Sequence, residues 1–301
     1  MTEERAIRPD GPFSLELAAG FGFGPRSGGG ATGSEPALRL AFPLDGYREH
    51  AAAIVRQPRA EEVRIAVRAG GDPGAVERQI ARVLSLDRSG TEWLRVGERD
   101  PVIGELQRRH PGLRPVSFNS PYEAAAWAVI SHRRRRAQGQ AARERLAAEL
   151  GAAFDLQGQV VRSFPLPARL CEPVALSGID GTRGDRLRAV AAAARDGRLD
   201  ADRLREMELE AAMDELQGLP GIGPFYAGLI AVRATGATDA IAVDEPIVRS
   251  HAGRFYGHEE PLTAEEFREL AGNWRPFRTW ASVLIRYAGD RAGFPRPPRG
   301  R

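Results

Sequence analysis

The stretch Gln217-Gly218-Leu219-Pro220-Gly221-Ile222-Gly223-Pro224-Phe225 constrains this chain more than any other. An amphipathic run from Glu210 to Gln217 precedes it, and an apolar run from Phe225 to Ala234 follows. The pattern predicts helix, tight turn, helix. Gly221 and Gly223 permit a turn that a β-carbon would obstruct. Pro224 suits the first position of the second helix. The unpaired amides at that helix start, beside the positive end of its dipole, make a ready anion site. The anion expected there is a nucleic-acid backbone phosphate, because phosphate contacts position a protein without reading sequence. The same residues also serve as a plain helix–helix connector, so the downstream sequence matters.

Ala240-Ile241-Ala242-Val243-Asp244-Glu245-Pro246 places an acid at the end of an apolar run, where a new helix begins. Asp244 lies 21 positions after Gly223. It reads as an ordinary helix cap or as a catalytic carboxylate on a pocket floor, and one residue can be both. Glu245 is expected to point elsewhere on the helix.

The hairpin, the spacing and the aspartate together resemble the helix-hairpin-helix superfamily of DNA base-excision glycosylases, in particular the branch of bacterial 3-methyladenine DNA glycosylase II. The likeness runs from about His110 to Gly289 and is weaker in the N-terminal third. It implies an α+β protein in which a small N-terminal antiparallel-sheet domain (1–112) buttresses an all-α helix-hairpin-helix domain (113–292). A basic, disordered tail (293–301) follows. The implied partner is double-stranded DNA containing damaged bases, met by a monomer in the cytoplasm, at the nucleoid.

Composition fits. The chain has 301 residues, 42% hydrophobic and 28% charged, with a formal net charge of +3. That charge permits nucleic-acid binding without requiring it. All 43 basic residues are arginine. The single cysteine, Cys171, excludes internal disulfides and the four-cysteine iron–sulfur cluster of some superfamily members. No run approaches the roughly 18 apolar residues of a membrane span.

Along the chain, residues 1–10 read as a loose tail and Pro12 to Leu17 as a first strand. The glycine-rich stretch from Gly20 to Gly33 lacks the Gly-Lys-Ser/Thr of a phosphate loop and reads as a connector. Leu38–Phe42 and Glu61–Ala69 alternate like strands, the latter with Val63, Ile65 and Val67 on one face. Pro73–Leu84 and Asp100–Gln107 read as helices. Ser120-Pro121-Tyr122-Glu123 is a capping box, and Thr263 with Glu266 repeats it. Arg143–Leu150 continues the first of these helices, and a linker then runs to about Pro173. Arg183–Ala194 is another helix, and Pro276 starts the last.

His132-Arg133-Arg134-Arg135-Arg136 cannot point to one stripe of a helix, since successive residues turn by about 100°. Either some arginines meet a partner, the helix bends, or the segment is solvated. The functional reading assigns His132, Arg133 and Arg135 to phosphate contacts.

By the resemblance, Asp244 is the carboxylate that stabilises an oxocarbenium-like sugar and orients the attacking water. The target base must leave the stack. An electron-poor alkylated base then gains from aromatic faces. Phe225, Trp280, Phe277 and Tyr226, with Trp127 behind them, are the candidates; each taken singly reads first as core, and Phe225 and Trp280 are the two retained. The likeness also implies a monovalent cation, Na⁺ or K⁺, on the backbone carbonyls of Gln217, Leu219 and Gly221. Superfamily members that also cut the strand use a lysine where this chain has Phe225, so lyase activity is not expected. One departure stands out. The family's Gly-Gln pair and bulky wedge are replaced by Ser131-His132 and Arg133. Two alternatives therefore stay open: a DNA-binding paralogue without catalysis, and a glycosylase for deaminated or oxidised bases.

Overall fold

The computed structural model describes residues 3–20, 37–172, 178–243 and 245–295. Most of the glycine-rich stretch, Asp244 and residues 296–301 lie outside these, so the expectations placed on them are not addressed by the fold.

The chain opens with strand β1 (Glu3–Ile7) and a short helix α1 (Leu15–Gly20), followed by strands β2 (Ala37–Pro43), β3 (His50–Arg59) and β4 (Glu62–Ala69). The order is β1-β4-β3-β2, antiparallel throughout, with Ile7 opposite Val63 and Leu38 opposite Val55. Two expectations are corrected here. The supposed tail supplies β1, whose backbone pairs along the sheet edge. The supposed strand at 12–17 is helical instead, with the Ser14 hydroxyl accepting from the Leu17 amide.

Helices α2 (Pro73–Val83), α3 (Gly90–Arg99) and α4 (Pro101–Arg109) follow. Each begins at a side-chain cap: Asp72, Ser89 and Asp100 accept from amides of the first turn. Then come α5 (Pro121–Ser131), α6 (Arg136–Leu150), a hairpin of β5 (Ala152–Asp155) and β6 (Val160–Ser163), and α7 (Pro167–Leu170). The hairpin and α7 replace the expected linker. The last elements are α8 (Gly181–Arg195), α9 (Ala201–Glu206), α10 (Leu209–Gln217), α11 (Pro224–Arg233), α12 (Pro246–Phe255), α13 (Ala264–Ala271) and α14 (Arg278–Arg291). The final helix starts after Phe277 rather than at Pro276. Among the described residues no helix is long and apolar enough to cross a membrane.

Val63, Ile65 and Val67 share one buried face of the sheet, as their alternation predicts, and that face packs on α2–α4. The same core takes in Ala252, Phe267, Trp274 and Leu284 from the last helices. A second core joins α5, α6 and α8–α11. The boundary expected near residue 112 follows the chain, whereas the packing groups 248–288 with the sheet. Leu156 and Val161 of the β5–β6 hairpin close the sheet's other face against Ala41, Ala52 and Ile54. Buried arginines tie the two bodies together. Arg82 pairs with Asp45 at 2.6 Å and donates to the Ala234 carbonyl at 2.5 Å. Arg233 donates to the Val116 carbonyl at 2.7 Å. The tail is anchored at its start, where Phe294 stacks on Phe255 and His251.

Candidate functional site

The hairpin forms between α10 and α11 because Leu219 and Ile222, each 4% exposed, plug its turn into the second core. Their amides close successive tight turns onto the Leu216 and Leu219 carbonyls. Gly221 has φ +91°, a conformation that strains any L side chain. Gly223 has φ −90° and ψ 175°, so no conformational demand explains it. A β-carbon there would meet nothing within 4 Å, and glycine at this point keeps open the space in front of the turn. Pro224 is the first residue of α11, as expected. The amides of Gly221, Gly223, Phe225 and Tyr226 donate to no group among the described residues. Four backbone donors at one turn are therefore left without an acceptor among the described residues.

The arginine run is not helical. α5 ends at Ser131, Arg133 adopts φ +52°, and α6 begins only at Arg136. The four arginines therefore run through a turn, and only the last of them enters a helix. Arg133 and Arg135 are exposed, while His132 is half-buried. Arg134 donates to the Gly178 carbonyl at 2.9 Å, and Arg183 of α8 donates to the His132 carbonyl at 3.1 Å. Burial, then the positive charge of Arg183, lowers the pKa of Arg134 from its ordinary value. The Ser131 and Tyr226 hydroxyls lie 2.8 Å apart, which joins this turn directly to α11. Close packing of α5 on α6 is fixed at Gly139, where an added β-carbon would press on Trp127 and Ser131.

The predicted aromatics divide between the bodies. Phe225 is 65% exposed, edge-on to Tyr226 at 5.3 Å between centroids, and half-buried Trp127 lies behind on α5. Phe277 and Trp280 are 3% and 2% exposed. They pack on Trp93 at 5.9 and 5.8 Å and on each other at 5.1 Å, and the Arg114 guanidinium covers Trp280. Both rings thus lie in the first core, apart from the exposed Phe225. Their partner Trp93 belongs to α3, an element the sequence reading missed.

The segment leading to Asp244 is pinned on both sides. Arg278 binds the Asp239 carboxylate at 2.8 Å, and Thr279 exchanges hydrogen bonds with the amide and carbonyl of Ala240 at 3.0 Å. Past position 244, Glu245 pairs with Arg286 of α14 at 3.0 Å. Val243 packs on the first core.

No family model matches the chain. The chain is 30% identical to DNA-3-methyladenine glycosylase 2 of Escherichia coli K12 over 190 residues, which cover 62% of this chain and 64% of that protein. It is 21% identical over 214 residues to DNA-3-methyladenine glycosylase of Bacillus subtilis 168, covering 70% and 71%. The solved 3-methyladenine DNA glycosylase of Archaeoglobus fulgidus superposes with TM-score 0.78 over 97% of this chain and 100% of its own, at 20% identity. In sequence and fold the chain resembles the helix-hairpin-helix DNA glycosylases. It spans just under two thirds of the first relative's length.

The α+β architecture expected from the glycosylase likeness is the one observed. Sequence reading gave no bracing role to the residues that hold these segments: Ser131, Arg183, Asp239, Arg278, Thr279 and Arg286. Their partners lie far along the chain, and no local pattern marks them. A cavity of about 370 Å³ between α3, α4 and α14, lined by Trp93, Gly97, Gln107 and Leu284, contains none of the predicted site residues.

Proposed function

We propose that the protein is a monofunctional DNA glycosylase of base-excision repair. It hydrolyses the N-glycosidic bond of alkylated purines, such as 3-methyladenine, in nucleotides turned out of double-stranded DNA. The observation that carries this reading is the hairpin: a left-handed Gly221, open space at Gly223 and four amides with no acceptor among the described residues. The likeness to two DNA-3-methyladenine glycosylases supports the substrate class.

In this reading the hairpin amides hold a backbone phosphate, and Arg133 and Arg135 add charge along the strand. Phe225 offers the exposed aromatic face on which an electron-poor base stacks. Asp244 stabilises positive charge on the sugar as the base departs, and takes a proton from the water that replaces it. No lysine is present to form a Schiff base. The carbonyls of Gln217 and Gly221 accept no hydrogen bond among the described residues, and that of Leu219 accepts only the Ile222 amide. These three oxygens suit a hard monovalent cation, which would supply positive charge between turn and phosphate.

The test is chromatography of bases released from methylated duplex DNA, run beside duplexes containing hypoxanthine or an oxidised purine. The expected product is 3-methyladenine. Release of only a deaminated or oxidised base would move the protein to another substrate class. The burial of Phe277 and Trp280 favours a second reading, a DNA-binding paralogue without catalysis. Its signature is duplex binding with no free base from any substrate.

A further inference from the structure

Helix α8 runs behind both DNA-facing elements of the proposed site, and two of its arginines, Arg183 and Arg186, stand three positions apart on one face. They have different surroundings. Arg183 is committed within the protein: it pairs with Asp180, caps the His132 carbonyl and holds the arginine turn. Arg186 lies one turn further, about 4.5 Å along the axis. Its stem presses on the hairpin. A β-carbon on Gly221 would sit 2.8 Å from its Cδ, 3.3 Å from its Nε and 3.4 Å from one terminal nitrogen. Arg186 is half-buried as a residue, and its guanidinium makes no hydrogen bond or ion pair among the described residues. A guanidinium carries five donors and a fixed charge, and partial burial without an anion is unfavourable unless a ligand supplies one.

We propose that Arg186 is a backbone-phosphate contact of the hairpin, a fixed positive charge held against Gly221 where the strand crosses the turn. The inference rests on the hairpin reading given under Proposed function and adds a residue to it. It also gives Gly221 a second role: besides adopting a left-handed conformation, it leaves room for the arginine stem to reach the open side.

Binding of an undamaged fluorescent duplex, measured from about 50 to 200 mM KCl, tests this. Each phosphate contact contributes about 0.9 to the slope of log affinity against log salt. Arg186→Met keeps the stem and removes the charge. Its slope is expected to be shallower by about 0.9, so that its affinity deficit shrinks about 3.5-fold across that range. Arg186→Lys should keep the wild-type slope. Arg188→Met, on the same helix beside Asp185, should also keep it. Circular dichroism melts establish that each variant is folded. An unchanged slope in Arg186→Met, with wild-type protein binding normally, overturns this inference and leaves the hairpin reading standing. An equal change in Arg188→Met also overturns it, because the effect would then be one of general charge. Failure of wild-type protein to bind duplex at all removes the hairpin reading itself.

Discussion

At the scale of single residues, a chain whose only strong cations are arginines uses them inside as well as outside. Arg114 is buried among five backbone carbonyls, and burial lowers its pKa to about 10. The planar fork of five donors makes this workable where an ammonium would leave carbonyls unmet. The same chemistry altered a motif that the sequence announced clearly. Ser120 caps α5 by accepting from the Glu123 amide, but the Glu123 carboxylate does not return to Ser120. It is drawn instead to Arg143 of α6 at 2.7 Å, in a pair whose members are 5% and 6% exposed. Thr263 and Glu266, at the surface with no such competitor, complete their box. Arg143→Ala strands a buried carboxylate and should lower stability by roughly 3–5 kcal/mol in chemical denaturation, whereas Arg143→Met with Glu123→Leu should be close to neutral. The absence of lysine makes a second residue-scale prediction. Borohydride should trap no covalent protein–DNA adduct, and an adduct that persists after the N-terminal amine is blocked contradicts the account.

At the scale of elements, the sequence was legible where one face meets water. β4 alternates, α2 carries a clear apolar stripe, and the hairpin glycines punctuate their turn. β3 was invisible because Ala51–Val55 are fully buried on both faces, so the period-two signal vanishes. The β5–β6 hairpin was read as linker because each strand has only four residues, and its stabilising partner is the distant sheet. Its attachment includes the His50 Nδ1 to Ser163 Oγ contact at 2.8 Å. Burial lowers the His50 pKa from 6.5, and burial with Arg291 and Arg109 lowers that of His110. The folded state therefore takes up these protons less readily than the unfolded chain, which binds them below about pH 6.5. Stability should fall as pH drops through that point and be insensitive to these groups above it. Thermal melts at about pH 7.5 and about pH 5.5 check the sign. His50→Gln should narrow the gap between the two melting temperatures, and an unchanged gap would assign the acid sensitivity elsewhere.

For the whole molecule, the candidate site was half legible. The hairpin and the arginine run were both marked in the sequence, and the fold joins them by Ser131 to Tyr226 and by α8. Phe277 and Trp280 do not join them, because their burial depends on Trp93, some 180 positions earlier in the chain. Residues 238–240 and Glu245 show the same dependence on distance. They are held by Arg278, Thr279 and Arg286 of the last helix, and that helix packs in the core of the N-terminal sheet. The sheet thus acts on the site through α14, a route that the order of elements along the chain conceals. Base release by wild type and Asp244→Asn, compared at equal DNA occupancy, tests the central claim most directly. The account predicts that the variant binds duplex as wild type does and releases 3-methyladenine about 10²–10³ times more slowly. Release at the wild-type rate would contradict it.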